Sequence, residues 1–248
     1  MNLVLVDSHE IDTDQRVVLE GRRAEHLLDV LRVRPGQNVA VGVIRGGRGL
    51  AKILSVRDRQ VTLELGALAP VELPVMDLVV AVPRPKVLSR MVRACSAFGL
   101  RNIDLIRTWR VDPSFFESPR ISEDRLRLDA QLGCEQGCHT HLPVVTVYRR
   151  FVDYVQHALA PRLRSESRRL LLVADPSGPE SIEQVMLPLA RTELTLAVGP
   201  EGGFIAPELQ TLTNVGGRIV RSGASVLYAE SAVVALLAQV TLLCRLGR

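Results

Sequence analysis

Leu194-Thr195-Leu196-Ala197-Val198-Gly199-Pro200-Glu201-Gly202-Gly203-Phe204 runs an apolar, strand-type segment directly into a glycine-rich loop. Three glycines and a proline at a strand's end make a tight loop that a ligand can approach closely, because glycine carries no Cβ. Pro207 at a first helical position and Glu208 in the first turn then start a helix. Open α/β sheets bind ligands in this place, outside the carboxyl ends of their strands. A purely structural turn fits the same residues.

Outward from this loop the pattern is strand–helix alternation. Downstream, the spacing predicts a strand over 218–221, a second loop Ser222-Gly223-Ala224-Ser225-Val226-Leu227-Tyr228 and a long apolar helix over 230–245. Upstream, it predicts strands over 170–174, 102–106 and 78–82, with helices over 181–189, 151–163, 122–136 and 87–98, the last stopped by Gly99. Such alternation implies an α/β domain with a mainly parallel sheet. No G-x-G-x-x-G and no G-x-x-x-x-G-K-[ST] is present, so neither a dinucleotide fingerprint nor a P-loop is supported. The first stretch reads differently. Strands are expected over 2–7, 37–44, 50–56 and 60–65, with one helix over 23–31 that places Ala24, Leu27, Leu28 and Leu31 on one face. This spacing suggests a small β-barrel. Arg45-Gly46-Gly47-Arg48-Gly49 is read as its hairpin loop, and 68–74, with Pro70 and Pro74, as a linker.

Hydrophobic residues make up 47% of the 248 residues and charged residues 23%, a globular composition that argues against global disorder. The apolar runs 170–174 and 233–238 are too short to span a bilayer, so no membrane partner is expected. The chain turns acidic by Asp7 without a basic segment before an apolar one, and a cytoplasmic location without a signal peptide is expected. Four cysteines, at 95, 134, 138 and 244, do not make a disulfide framework. The net charge of +4 is unevenly placed: residues 84–127 hold ten Lys+Arg against five Asp+Glu. Only Lys52 and Lys86 are lysines. An arginine fork grips phosphate oxygens in pairs, which makes nucleic acid a candidate partner, while a GC-rich genome accounts for arginine preference equally well.

The two loops carry a resemblance. Val198-Gly199-Pro200-Glu201-Gly202-Gly203-Phe204, followed by Val226-Leu227-Tyr228-Ala229-Glu230-Ser231-Ala232 and a terminal apolar helix, resembles the SPOUT class of methyltransferases. Within that class the chain is similar to the RsmE-like family, which methylates N3 of a uridine in small-subunit (16S) ribosomal RNA. His26-Leu27-Leu28-Asp29-Val30-Leu31-Arg32 resembles that family's H-L-x-x-V-L-R motif. Residues 102–111, with Arg110, fall at its strand and arginine motif, and Glu135-Gln136 with Pro143 at its E-Q…P segment. The resemblance covers nearly the whole chain. It implies an N-terminal PUA-like β-barrel over 1–72 that binds RNA, followed over 73–248 by a SPOUT α/β domain with a deep trefoil knot. It implies S-adenosyl-L-methionine as cofactor, held by main-chain groups of three loops: Val173, Ala174 and Asp175; Gly199, Pro200, Glu201, Gly202 and Gly203; and Ser222, Gly223, Val226, Leu227 and Tyr228. A homodimer with the terminal helix near its interface, and ribosomal RNA or the small ribosomal subunit as partner, follow from the same resemblance. Arg32, Arg90, Arg93, Arg110 and His139 are the corresponding candidates for RNA contact.

Tyr228 and Glu230 are the candidate catalytic residues, although no general base is fixed and a helix-start carboxylate fits Glu230 equally. The chain departs from the family where Ser225, Tyr228 and His139 replace arginine, Leu132 and Ala97 replace glutamate, and Arg93 replaces lysine. These departures lead to the expectation of a weakened or redirected activity, with a different RNA target or a non-catalytic RNA-binding paralogue as alternatives. Cys134, Cys138, His139 and His141 lack a standard zinc spacing, and no metal is expected. Trp109, beside Arg107 and Arg110, fits either a base-stacking platform or a packed anchor.

Overall fold

The computed structural model describes residues 2–165, 169–186, 193–221, 223 and 227–246. Among these, five strands form a mixed sheet in the order β1-β3-β4-β5-β2: β1 Val4–Val6, β2 Arg16–Leu19, β3 Asn38–Val43, β4 Arg48–Arg57 and β5 Gln60–Ala69. Helix α1, Gly21–Glu25, continues into a π-helical turn over His26–Val30 and packs Ala24 and Leu27 into the barrel core with Val17, Ile53 and Leu63. The β4–β5 hairpin turns at Asp58 and Arg59, both with positive φ, the geometry that matches the twist of paired strands. Two expectations shift here. Arg48 and Gly49 belong to β4, and Leu68 and Ala69 to β5, because these four residues pair with one another and extend the ladder. The loop therefore narrows toward Gly46–Gly47, and the linker starts later than residue 68.

The second sheet is wholly parallel, in the order β10-β12-β9-β11-β6-β7-β8. Its strands are β6 Met76–Ala81, β7 Asn102–Ile106, β8 Val144–Tyr148, β9 Arg169–Ala174, β10 Glu180–Ser181, β11 Glu193–Val198 and β12 Gly217–Arg221. Alternate residues feed opposite faces. Leu78, Val80, Leu172, Leu194 and Leu196 pack against α2 Pro85–Ser96, α3 Glu123–Gly137, α6 Ile182–Met186 and α8 Ala229–Leu246. Val79, Ile106, Val173 and Ala197 pack on the other side against α4 Phe151–Tyr154, the π-helical turn Val155–Leu159, α5 Ala160–Ser165 and α7 Ala206–Asn214. Strands buried on both faces read as continuous apolar runs, which is why this sheet was legible in the sequence. Strands β2 and β8 were not: β2 alternates over only four residues, and β8 is a half-exposed edge following Pro143.

Strand β11 inserts between β6 and β9, and β12 between β9 and β10, so both late strands enter positions flanked by earlier ones. At the opposite, amino-terminal end of the sheet, Asp77 is fully buried and ion-paired to Arg169 and Arg101, which share Glu193. Tyr154 and Arg162 hold Asp104 at 2.8 Å each, and burial pushes that carboxyl above its ordinary value. The charges at this end are thus satisfied internally, whereas the carboxyl-terminal end opens into loops.

Helix α8 is the one described helix long and apolar enough to cross a membrane by length and composition. Val233, Leu236, Leu237 and Val240 turn its inner face into the core beside β11 and α2.

Candidate functional site

The loops after β9, β11 and β12 converge at the carboxyl ends of these strands. After β9, the Asp175 carboxylate accepts hydrogen bonds from the Ser177 N–H (2.9 Å) and hydroxyl (2.6 Å), while the Asp175 N–H donates to the Val220 carbonyl at 3.0 Å. After β11, the Gly203 N–H donates to the Pro200 carbonyl at 2.8 Å, closing the turn. Gly203 has φ +73, a left-handed conformation that side-chain-bearing residues rarely adopt. A Cβ on Gly199 would stand 3.1 Å from the Phe204 ring, so the strand passes closely over that ring only as glycine. After β12, Arg221 donates to the carbonyls of Gly178 (2.9 Å) and Pro179 (2.6 Å), tying the first and third loops together.

These loops, with Ala229, Ala232 and Leu236 of α8, enclose a cavity of about 690 Å³. That is ordinary for a small-molecule site. Arg110 and Arg221 both line it, and the Arg110 guanidinium donates to the carbonyls of Gly202 and Gly203. Two ion pairs stand nearby, Arg84–Glu201 at 3.5 Å and Arg90–Glu230 at 2.8 Å.

Ala174, Asp175, Gly199, Pro200, Glu201, Gly202, Gly203, Gly223 and Leu227 all line this cavity. Val173 does not, being fully buried in the second core face. Ser222, Ser225 and Val226 lie outside the described residues. Tyr228 is 77% exposed and is not among the lining residues; its carbonyl accepts the first N–H groups of α8, from Ser231 and Ala232. Glu230 is held by Arg90, so one candidate catalytic group and one candidate RNA contact are each other's partners.

The remaining RNA candidates scatter. Arg32 is exposed on the barrel in a turn with φ +51. Arg93 neutralises the buried Asp129 at 2.7 Å, together with Arg125 at 3.2 Å. Arg110 faces the cavity. His139 packs against Gly99, and burial lowers its pKa, keeping it neutral near neutral pH. Among the described residues no three His, Cys, Asp or Glu side chains converge as a metal site. The Cys134 thiol donates to the His141 carbonyl at 3.4 Å, and burial pushes its pKa up to about 12.

Pro176, Ser177, Phe204 and Arg221 also line the cavity, though the sequence reading did not single them out for it. Asp175-Pro176-Ser177-Gly178 at a strand's end has turn composition, which is a usable signal. Arg221 has none, because its role exists only once two distant loops meet.

Residues 71–241 match the family described as RNA methyltransferase domain, and residues 19–66 match the RNA methyltransferase PUA domain. The first match alone covers more than half of the chain. The chain belongs to the RNA methyltransferase family. This methyltransferase is 27% identical over 251 residues to the ribosomal RNA small subunit methyltransferase E of Treponema pallidum, covering 97% of this chain and 90% of the relative. It is 27% identical over 248 residues to the enzyme of the same name from Mycobacterium bovis, covering 94% of this chain and 88% of that one. Its fold matches the crystal structure of ribosomal RNA small subunit methyltransferase E from Neisseria gonorrhoeae bound to S-adenosyl methionine. The TM-score is 0.77, with 19% identity and 98% of each chain covered. The RsmE-like, SPOUT-class resemblance and the expectation of a PUA-like domain ahead of an α/β domain are borne out.

Proposed function

We propose that this methyltransferase transfers a methyl group from S-adenosyl-L-methionine to N3 of a uridine in small-subunit (16S) ribosomal RNA. The supporting observation is the cavity of about 690 Å³ at the strand ends, walled by glycine loops whose backbone is open to a ligand. The relatives of Treponema pallidum and Mycobacterium bovis are named as small-subunit ribosomal RNA methyltransferases, which supports the RNA named here. The wall fits the cofactor: Gly199, Gly202 and Gly203 bring bare backbone to the cavity, and Ala232 and Leu236 add apolar lining. Main-chain groups of Ala174 and Asp175, of Gly199 through Gly203, and of Gly223 and Leu227 would hold it. When bound, that cofactor supplies an already activated sulfonium methyl.

The chain's own contribution is positioning and charge. Uridine N3 must first lose its proton to water, which leaves negative charge on the uracil until N3 accepts the methyl. Arg110, beside the glycine loop, is a cation placed to offset it. Tyr228 offers a neutral hydroxyl donor, and Glu230, through Arg90, positions the start of α8. In this reading the barrel over 1–72 binds RNA and residues 73–248 carry the knot and the chemistry. Arg32, Arg90, Arg93 and His139 meet the RNA. Two copies pair near α8, whose Leu242 and Leu246 are exposed, and the protein works in the cytoplasm.

Tritiated methyl transfer to purified small subunits lacking the modification tests this function. Transfer to that uridine is expected, with Tyr228→Phe lowering kcat more than cofactor affinity and Tyr228→Arg raising it. The exposed, uncharged Tyr228 favours a second reading, an RNA-binding paralogue without catalysis. No transfer with cofactor and RNA both bound would establish it, and transfer to another nucleotide would establish a redirected enzyme.

A further inference from the structure

A second cavity, of about 510 Å³, lies on the far side of the glycine loop and is lined by Arg107, Trp109, Arg149, Phe151, Pro207 and Thr211, among others. Its wall and that of the first cavity are two sides of a single turn. The Val111 N–H donates to the Thr108 carbonyl at 3.1 Å, and both end residues are buried. The two central residues diverge: Arg110 lines the first cavity and Trp109 the second. Trp109 is 81% exposed, although its backbone is fixed, since its N–H donates to Glu208 Oε1 at 2.7 Å. Glu208 is itself nearly buried and also accepts from the Ile205 N–H at 3.0 Å, so the same carboxylate anchors the turn to the end of the glycine loop.

A large indole left in solvent on a fixed backbone is a candidate contact surface, and its surroundings indicate for what. Arg107 is exposed and makes no ion pair among the described residues. Arg149 also lines the cavity, fixed by its hydrogen bond to the Phe116 carbonyl at 3.1 Å and its position over the Phe116 ring, and it makes a long, exposed ion pair with Glu117 at 3.4 Å that a phosphate could displace. A flat apolar platform sharing a cavity with two guanidinium groups complements a nucleobase with its flanking phosphates. It suits an unpaired nucleotide, because paired bases are already stacked within their helix.

We propose that this cavity is a subsite for an unpaired nucleotide of the RNA substrate, its base stacked on Trp109 and its phosphates held by Arg107 and Arg149. The inference rests on the reading of the protein as an RNA-modifying enzyme and adds a nucleotide other than the one methylated. The fixed turn would couple the two sites, since RNA seated on Trp109 bears on Arg110 at the cofactor loop.

Trp109 is the chain's single tryptophan, so emission excited at the red edge, where the tyrosines do not absorb, reports this residue. The full-length protein, saturated with S-adenosylhomocysteine, is titrated with a short single-stranded oligouridylate. Saturable quenching is expected. Trp109→Ala should weaken binding, measured by anisotropy of labelled RNA, by roughly tenfold, and Trp109→Phe should restore part of the loss. Arg107→Ala should reduce the slope of log affinity against log salt by about 0.7. Calorimetric affinity for S-adenosylhomocysteine should stay unchanged in Trp109→Phe and Arg107→Ala. RNA that binds and is methylated while emission and Trp109→Ala affinity remain those of the parent would overturn the subsite alone. Absence of RNA binding by either readout would overturn it together with the RNA reading. Emission that shifts with protein concentration in the absence of RNA would place a second copy on Trp109 and overturn it as well.

Discussion

Gly202 shows how much one absent side chain decides. It lies outside the positive-φ region, so its backbone tolerates any residue, but a Cβ there would stand 3.0 Å from Arg110 Cδ. A valine would displace the guanidinium from the loop carbonyls and extend into the space a ligand would fill. Gly202→Val is therefore expected to weaken S-adenosylhomocysteine binding by at least tenfold, about 1.4 kcal/mol, with little change in Tm. Calorimetry and thermal melts check it, and unchanged affinity in a folded variant would locate the cofactor elsewhere. Gly203 differs, because its φ of +73 adds backbone strain to any substitution.

At the level of elements, α2 and α3 pack so closely that Gly133 and Gly137 of α3 lie against the backbone of Arg93 and Ala97 of α2, with no room for a Cβ. Arg93 therefore has a structural duty that its charge alone does not reveal: it satisfies the buried Asp129 across that seam. Arg90, one turn earlier, pairs with Glu230 in an exposed setting. Arg93→Ala should cost about 1–3 kcal/mol by leaving Asp129 short of a partner. Arg90→Ala should fall within about 0.5 kcal/mol of the parent. Urea denaturation separates the two, and equal losses would show that Asp129 does not depend on Arg93. The reading of both arginines as RNA contacts is best tested with Arg90→Ala, whose fold is not at stake.

At the level of the whole molecule, barrel and α/β domain keep separate cores that meet along one strand. Strand β1 makes the join: Val4 and Val6 enter the barrel core, while Leu5 and the preceding Leu3 enter the core of the parallel sheet. Arg22 of α1 clamps the buried Glu135 of α3 with two hydrogen bonds of 2.7 and 2.8 Å, and Thr140 donates to the Gly46 carbonyl at 2.7 Å. Acid sensitivity has a definite local source. Glu10 has its carboxyl held below the ordinary 4.5, first by the hydrogen bond from Arg23, with burial opposing. The folded protein thus releases this proton more readily than the unfolded chain. The stability it contributes is present above about pH 4.5 and is lost as pH falls through the lower folded value. Glu10→Gln should lower Tm near neutral pH, and the gap to the parent should narrow as pH falls below 4.5 and through the lower folded value. A gap that persists in acid would assign the loss to packing.

The chain's local order determined a good deal on its own. Near-continuous apolar runs marked β6, β9 and β11, because strands buried on both faces carry few polar residues. Val198 through Phe204 marked a loop that a ligand can approach closely, while a structural turn fitted the same residues. What lies around that loop was decided by tertiary structure. That Arg110 reaches the cavity while Trp109 faces away from it depends on one turn and on Glu208, far along the chain. That Arg93 serves Asp129 depends on the closeness of two helices. That Arg169 and Asp77 share a buried pair depends on β11 lying between their strands and on Glu193 capping the group. Residue type and spacing report local conformation and burial, whereas pairings between distant segments exist only after the sheet order has brought those segments together.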